Sequence, residues 1–140
     1  MKQEVVLHIR GQQSYDGQEP EVIELMTEGT MEFLDGGWDI SYEETELTGR
    51  AGVTTTFRVE PGKVILRRTG KLRSEMLFQQ GVRHESLYQL EFGALLMTVT
   101  AKQVFFDIMP DGGVIDLMYD IEIENSAAGQ VDYHLDIRAK

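Results

Sequence analysis

The 140-residue chain contains no cysteine. That removes disulfide frameworks, thiolate zinc sites, cysteine nucleophiles and iron–sulfur clusters at once, and it fits a reducing compartment. Helical patterning is nearly absent. No window of a dozen residues repeats apolar positions at three and four without a glycine or a β-rich run intervening. No apolar run approaches the roughly 18 residues that a membrane-spanning helix needs. The first apolar stretch, Val5-Val6-Leu7-His8-Ile9-Arg10, is broken by His8 and Arg10, so no secretory signal is expected and a cytoplasmic location is the default. Positive charge is also short. Thirteen Lys and Arg against 24 Asp and Glu leave a net charge of −11. That average field repels phosphate backbones and anionic lipid, so neither nucleic acid nor membrane is an expected partner. The strongest basic cluster, Lys63, Arg67, Arg68, Lys71 and Arg73, lacks interleaved aromatics, and neighbours on a strand point to opposite faces. It reads as a solvated strand pair carrying balancing charge.

Chemical motifs are missing too. There is no Gly-x-Ser-x-Gly elbow, phosphate-binding glycine loop or HExxH, and Asp111-Gly112-Gly113 reads as a hairpin turn, not a calcium loop. The three histidines, His8, His84 and His134, lie far apart in sequence, so none pairs with another at strand or helical spacing. No metal, cofactor or catalytic residue is assigned. Glu43 and Glu44 are adjacent, and strand neighbours face opposite sides, so they do not form an acid–base pair. Glu43 is expected on the solvent side.

What the chain does have is period two. Trp38, Ile40 and Tyr42 alternate with Asp39, Ser41 and Glu43. Ile115, Leu117, Tyr119, Ile121 and Ile123 alternate with acidic residues and Met118, and Val131, Tyr133, Leu135 and Ile137 alternate with Asp132, His134, Asp136 and Arg138. These are strands with one apolar and one wet face. Similar segments at Val5–Gln12, Val22–Glu28, Met31–Leu34, Val53–Glu60, Lys63–Thr69, Glu75–Gln79, Glu85–Phe92, Leu95–Ala101 and Gln103–Met109 bring the expectation to ten to twelve short strands. Turn residues separate them, and the polar stretch Gln12–Pro20 is expected as one long loop. The whole chain reads as one all-β domain. Without helices to cover sheet edges, a single closed antiparallel barrel satisfies the edge groups best, and a sandwich is the alternative.

Several segments carry a resemblance. They are Glu24–Gly29, Ile40-Ser41-Tyr42-Glu43-Glu44-Thr45, Gly52–Thr56, Leu66–Gly70, Met76-Leu77-Phe78 with Gly81, Tyr88–Gly93 and Gly113–Tyr119. Together they resemble the YwiB-like bacterial family of unknown function, and Ile40–Thr45 is the most specific part. The resemblance implies a calycin-like (lipocalin-like) β-barrel. It brings no established catalytic residues.

Small barrels hold either packed side chains or one small ligand. The informative residues are therefore polar ones that share parity with the core. Glu44 follows Tyr42 on the inner face, and Arg68 follows Val64 and Leu66. Burying either charge alone is costly, so if both lie inside they are expected to pair; the commoner reading is that both sit at strand ends, reach the rim and stay solvated. Tyr42, Glu44, Arg68, Tyr119 and Tyr133 are the candidate ligand-binding residues. The leading functional expectation is a non-enzymatic barrel that binds a small apolar or amphipathic ligand. The alternative is a filled barrel acting as an interaction module or homodimer, with Phe105 or Phe106 pointing outward. An enzyme ranks last.

Overall fold

The computed structural model describes residues 2–14, 18–45 and 50–140. Tyr15–Gly17, in the expected long loop, lie outside the described residues. Ten antiparallel strands form one sheet: β1 (Gln3–Ser14), β2 (Glu21–Leu34), β3 (Gly37–Glu43), β4 (Val53–Glu60), β5 (Lys63–Gly70), β6 (Ser74–Phe78), β7 (Arg83–Leu90), β8 (Gly93–Met109), β9 (Gly112–Ile123) and β10 (Ser126–Ala139). The spatial order is β6-β5-β4-β3-β2-β1-β10-β9-β8-β7. Each strand pairs with its sequence neighbour except at β6 and β7, and β1 closes onto β10 from Val5↔Ala139 to Ser14↔Gln130. The sheet curls into a nearly closed barrel.

Two pairs of expected strands are continuous. Val22–Glu28 and Met31–Leu34 merge into β2, because Gly29 and Thr30 stay in the ladder opposite Tyr42 and Ser41. Leu95–Ala101 and Gln103–Met109 merge into β8, where a bulge between Ala101 and Gln103 restores the in–out alternation. β1 runs to Ser14, so the expected loop after it is shorter than the polar composition implies. Hairpins close with residues that tolerate positive φ, such as Asp35 (51°) with Gly36 (81°), and Glu124 (51°) with Asn125 (66°).

The inner face is the one that strand parity selects. Val5, Leu7, Ile40, Phe57, Val64, Phe78, Ile115 and Leu135 are completely or almost completely buried. The outer face carries charge. Arg58 clasps the β2–β3 turn there, donating to Asp35 O at 3.0 Å, to Asp39 at 3.3 Å and to Glu60 at 3.1 Å.

Closure is incomplete at one place. No ladder joins β6 to β7; an isolated backbone bridge, Arg73↔Gln89, lies just before β6, with N···O distances of 2.9 and 2.7 Å. Farther along, the Leu77 N–H donates to His84 Nδ1 at 3.3 Å, so an imidazole stands in for a backbone carbonyl. Between these points Glu75 and Leu87 line one cleft, with no ladder joining β6 to β7. Their amides are expected to exchange with solvent faster than those of the paired β1 and β10 interiors. Hydrogen exchange read by NMR checks this; equal protection would mean that the seam is zipped.

Candidate functional site

The interior divides into two halves. Around Leu7, Phe78, Ile115, Leu135 and Ile137 the side chains pack against one another. The other half contains a cavity of about 320 Å³ that opens at one end of the barrel. All of the parity-selected residues, Tyr42, Glu44, Arg68, Tyr119 and Tyr133, line it. Its wall also carries apolar Leu25, Met97, Ile121, Ile123 and Val131, together with polar Gln12, Gln13 and Glu21.

The deep wall is built by register. Ile40, Phe57, Leu66 and Met76 form one cross-strand layer. Tyr42, Thr55, Arg68 and Ser74 form the next layer toward the mouth. Phe57 lies against the Tyr133 ring at 5.5 Å, and Phe78 lies against Tyr119 at 4.6 Å, which fixes both phenols from below. The Tyr42 and Tyr133 hydroxyls point at each other at 3.5 Å, wider than the ~2.8 Å of a well-formed O–H···O bond. Burial pushes Tyr42 up to about 12, with the nearby Glu44 carboxylate adding to it. Burial also pushes Tyr119 to about 12, against an opposing pull from Arg68. Tyr133 is driven well above its ordinary value by burial first and then by Tyr42. All three are therefore neutral hydrogen-bonding groups at physiological pH.

The charges arrange themselves differently from the expected pair. Glu44 is fully buried and accepts from Arg50 at 3.2 Å, not from Arg68. The reason is register. Glu44 lies one step nearer the mouth than the Arg68 layer, its N–H bonded to Val53 O at 2.8 Å. Arg50, on the segment leading from β3 into β4, reaches over it. Arg68 is only 7% exposed, so it is not a solvated rim residue either. Its Nε has no hydrogen-bond partner among the described residues. Arg50 also lies beside the Tyr88 hydroxyl. Arg50 and Met97 escape a parity reading because parity says nothing about loops or about which strands meet across a barrel.

The histidines do not converge. His8 pairs with Glu24 at 2.8 Å and His134 with Asp116, both on the outer face, while His84 serves the seam. Glu43 is exposed. Phe105 is 49% exposed, whereas Phe106 packs on the core. Within the basic cluster, Arg67 and Arg73 flank a cleft at the β6–β7 seam that also reaches Arg68 and Ser74.

The barrel recurs in a known structure. A family model described as a domain of unknown function, DUF1934, matches residues 7–137. The chain belongs to that family. It is 30% identical over 125 residues to the uncharacterized β-barrel protein YwiB of Bacillus subtilis (strain 168), covering 88% of this chain and 86% of that one. The crystal structure of the ywiB protein from Bacillus subtilis superposes with a TM-score of 0.89 at 23% identity, over 99% of this chain and 93% of the other. The shared feature is the barrel, and its relatives bring no activity with them. No helix among the described residues is long and apolar enough to cross a membrane.

Proposed function

We propose that this calycin-like barrel is a cytoplasmic, non-enzymatic carrier or sensor that binds one small amphipathic molecule in its interior. The observation that carries the reading is Arg68: a guanidinium removed from solvent, turned to a cavity of about 320 Å³ and unmatched by any described carboxylate. The volume is at the lower end of small-molecule pockets, which run from about 300 Å³ upward. The apolar residues Leu25, Met97, Ile121, Ile123 and Val131 in its lining suit a hydrocarbon portion. Phenols and charge suit a polar end. Calorimetric titration with octanol, a neutral amphiphile of suitable size, is expected to give one-to-one binding that Ile121→Glu weakens about ten-fold or more by placing a charge against the chain. Absence of octanol binding would turn the reading toward the second one. In that reading the outer face acts, with Phe105 as an apolar anchor beside a groove of about 370 Å³ also lined by Arg10, Asp116 and His134. It predicts a dimer that Phe105→Ser dissolves, seen by light scattering.

A further inference from the structure

The β7–β8 hairpin leaves the barrel wall before it turns. Residues 87–90 pair with residues 93–96, from Leu87↔Leu96 to Leu90↔Gly93. The ladder between β8 and β9 starts only at Met97↔Ile123, and no ladder joins the other edge of the hairpin to β6. Residues 87–96 are therefore a two-stranded ribbon bonded mainly to itself. Short ties hold its edges. Gln89 exchanges both backbone bonds with Arg73, at 2.9 and 2.7 Å. At the base of the ribbon, the Leu96 N–H donates to the Glu124 carboxylate at 2.8 Å, and Leu96 O accepts from the Glu124 N–H at 2.8 Å. A lone two-stranded ribbon is marginally stable in water, and segments with few backbone partners open at far lower cost than the sheet they leave.

The ribbon stands at the cavity mouth. Tyr88 lines the cavity itself. Leu90 and Phe92, farther out, line a groove of about 280 Å³ that also touches Arg50, Val53 and Leu72 on the neighbouring shoulder of the barrel. Arg50 spans that groove. It lies beside the Tyr88 hydroxyl and holds buried Glu44 at 3.2 Å, so one guanidinium connects the ribbon to the β3–β4 side of the mouth. Near the tip, Phe92 is 89% exposed and Leu95 38%. An aromatic ring left in water this way is stabilised by any movement that covers it. The groove beside it, with Val53 and Leu72 in its lining, is the nearest cover.

We propose that residues 87–96 form a hinged flap that gates the cavity. The Leu96–Glu124 bonds, where the ladder resumes, are the pivot. The Arg73–Gln89 bridge and the Arg50–Tyr88 contact are the catches, which part to admit a ligand and close again behind it. This rests on the cavity reading above and adds control of access to the same cavity. The native chain has no cysteine, so Arg73→Cys with Gln89→Cys introduces one disulfide between residues that already form a bridge, within the reach of such a bond. In the oxidised variant the flap is fastened. Octanol should then enter and leave about ten-fold or more slowly, read by NMR exchange spectroscopy, with its affinity changed less than two-fold. Reduction should restore the native rates in the same sample. A second measurement needs no variant and no ligand. In the native protein the Tyr88, Leu90 and Leu95 amides should exchange with solvent together, about ten-fold or more faster than those of Val99 and Ile121 in the continuous ladder. Octanol binding with unchanged rates in the oxidised variant overturns the gate and leaves the cavity reading standing. Ribbon amides as protected as Val99 also overturn the gate. If octanol does not bind the native protein, both readings fall.

Discussion

Raised from neutral pH, the protein is expected to hold its fold to about pH 10 and to lose it cooperatively before about pH 12. The cause is the interior tyrosines. Burial pushes Tyr42 and Tyr119 from 10.0 to about 12. Below pH 10 these phenols are protonated in both folded and unfolded chains, so their contribution to stability is fully present. Above it the unfolded chain ionises and the folded chain resists. Stability therefore falls as pH rises toward the folded-state value, at about 1.4 kcal/mol per pH unit for each group, or about 3 kcal/mol each by pH 12. Two such groups reach the lower range of total domain stability, about 5–15 kcal/mol. Tyr133, raised in the same direction, adds to the loss. The measurement is far-ultraviolet circular dichroism alongside phenolate absorbance. The phenolate signal of the buried tyrosines should rise together with loss of strand signal, and Tyr119→Phe should move the transition to higher pH. Phenolate appearing while the strand signal stays intact would show that these hydroxyls ionise in place, and the burial argument would fall.

The same tyrosines mark how far the sequence could be read. Strand parity needs only the alternation along each strand, and it put Tyr42, Glu44, Arg68, Tyr119 and Tyr133 on the inner face before any pairing was known. All of them line the cavity. Parity has no access to register. It could not tell that Thr55 lies between Tyr42 and Arg68, or that Ser74 lies beyond Arg68, because those adjacencies depend on the turn geometry of three hairpins. For the same reason it joined Glu44 to Arg68, when a loop residue, Arg50, was the nearer partner. A threonine and a serine on strands also look ordinary until their hydroxyls are seen to be buried. The seam was illegible too. β6 and β7 have strand-like residues, and their missing ladder shows only in how the curled sheet brings its first and last strands together. Whether the barrel is filled or hollow has a two-part answer that composition could not supply. Aliphatic and aromatic layers fill one half. In the half nearer the mouth, inward positions occupied by Arg68 and Gly11 do not fill the space as leucines would.

The boundary between those halves is Phe57, and its removal is the substitution expected to cost most. Phe57 is completely buried on β4. Ile40 and Leu66 flank it in the sheet, and the Tyr133 ring lies 5.5 Å from its own. Phe57→Ala removes the ring's transfer free energy and leaves a void, a combined cost of about 3–5 kcal/mol. Relaxation at this position has a direction. The layer above it borders a cavity, so Tyr133 can sink into the space left by the ring, parting its hydroxyl from Tyr42. The cavity should then deepen. Urea unfolding is expected to show a midpoint shift of that size with an unchanged slope, whereas Phe57→Leu, which keeps most of the volume, should cost far less. Ligand preference should move with it: the alanine variant favours decanol over octanol more strongly than the native protein does. A cost under about 1 kcal/mol would mean that the layer is loosely packed and does not hold up the floor. A normal cost with unchanged chain-length preference would mean that the void collapses downward into the packed half, and that the floor of the site is held by Met76 and Tyr119 without Phe57.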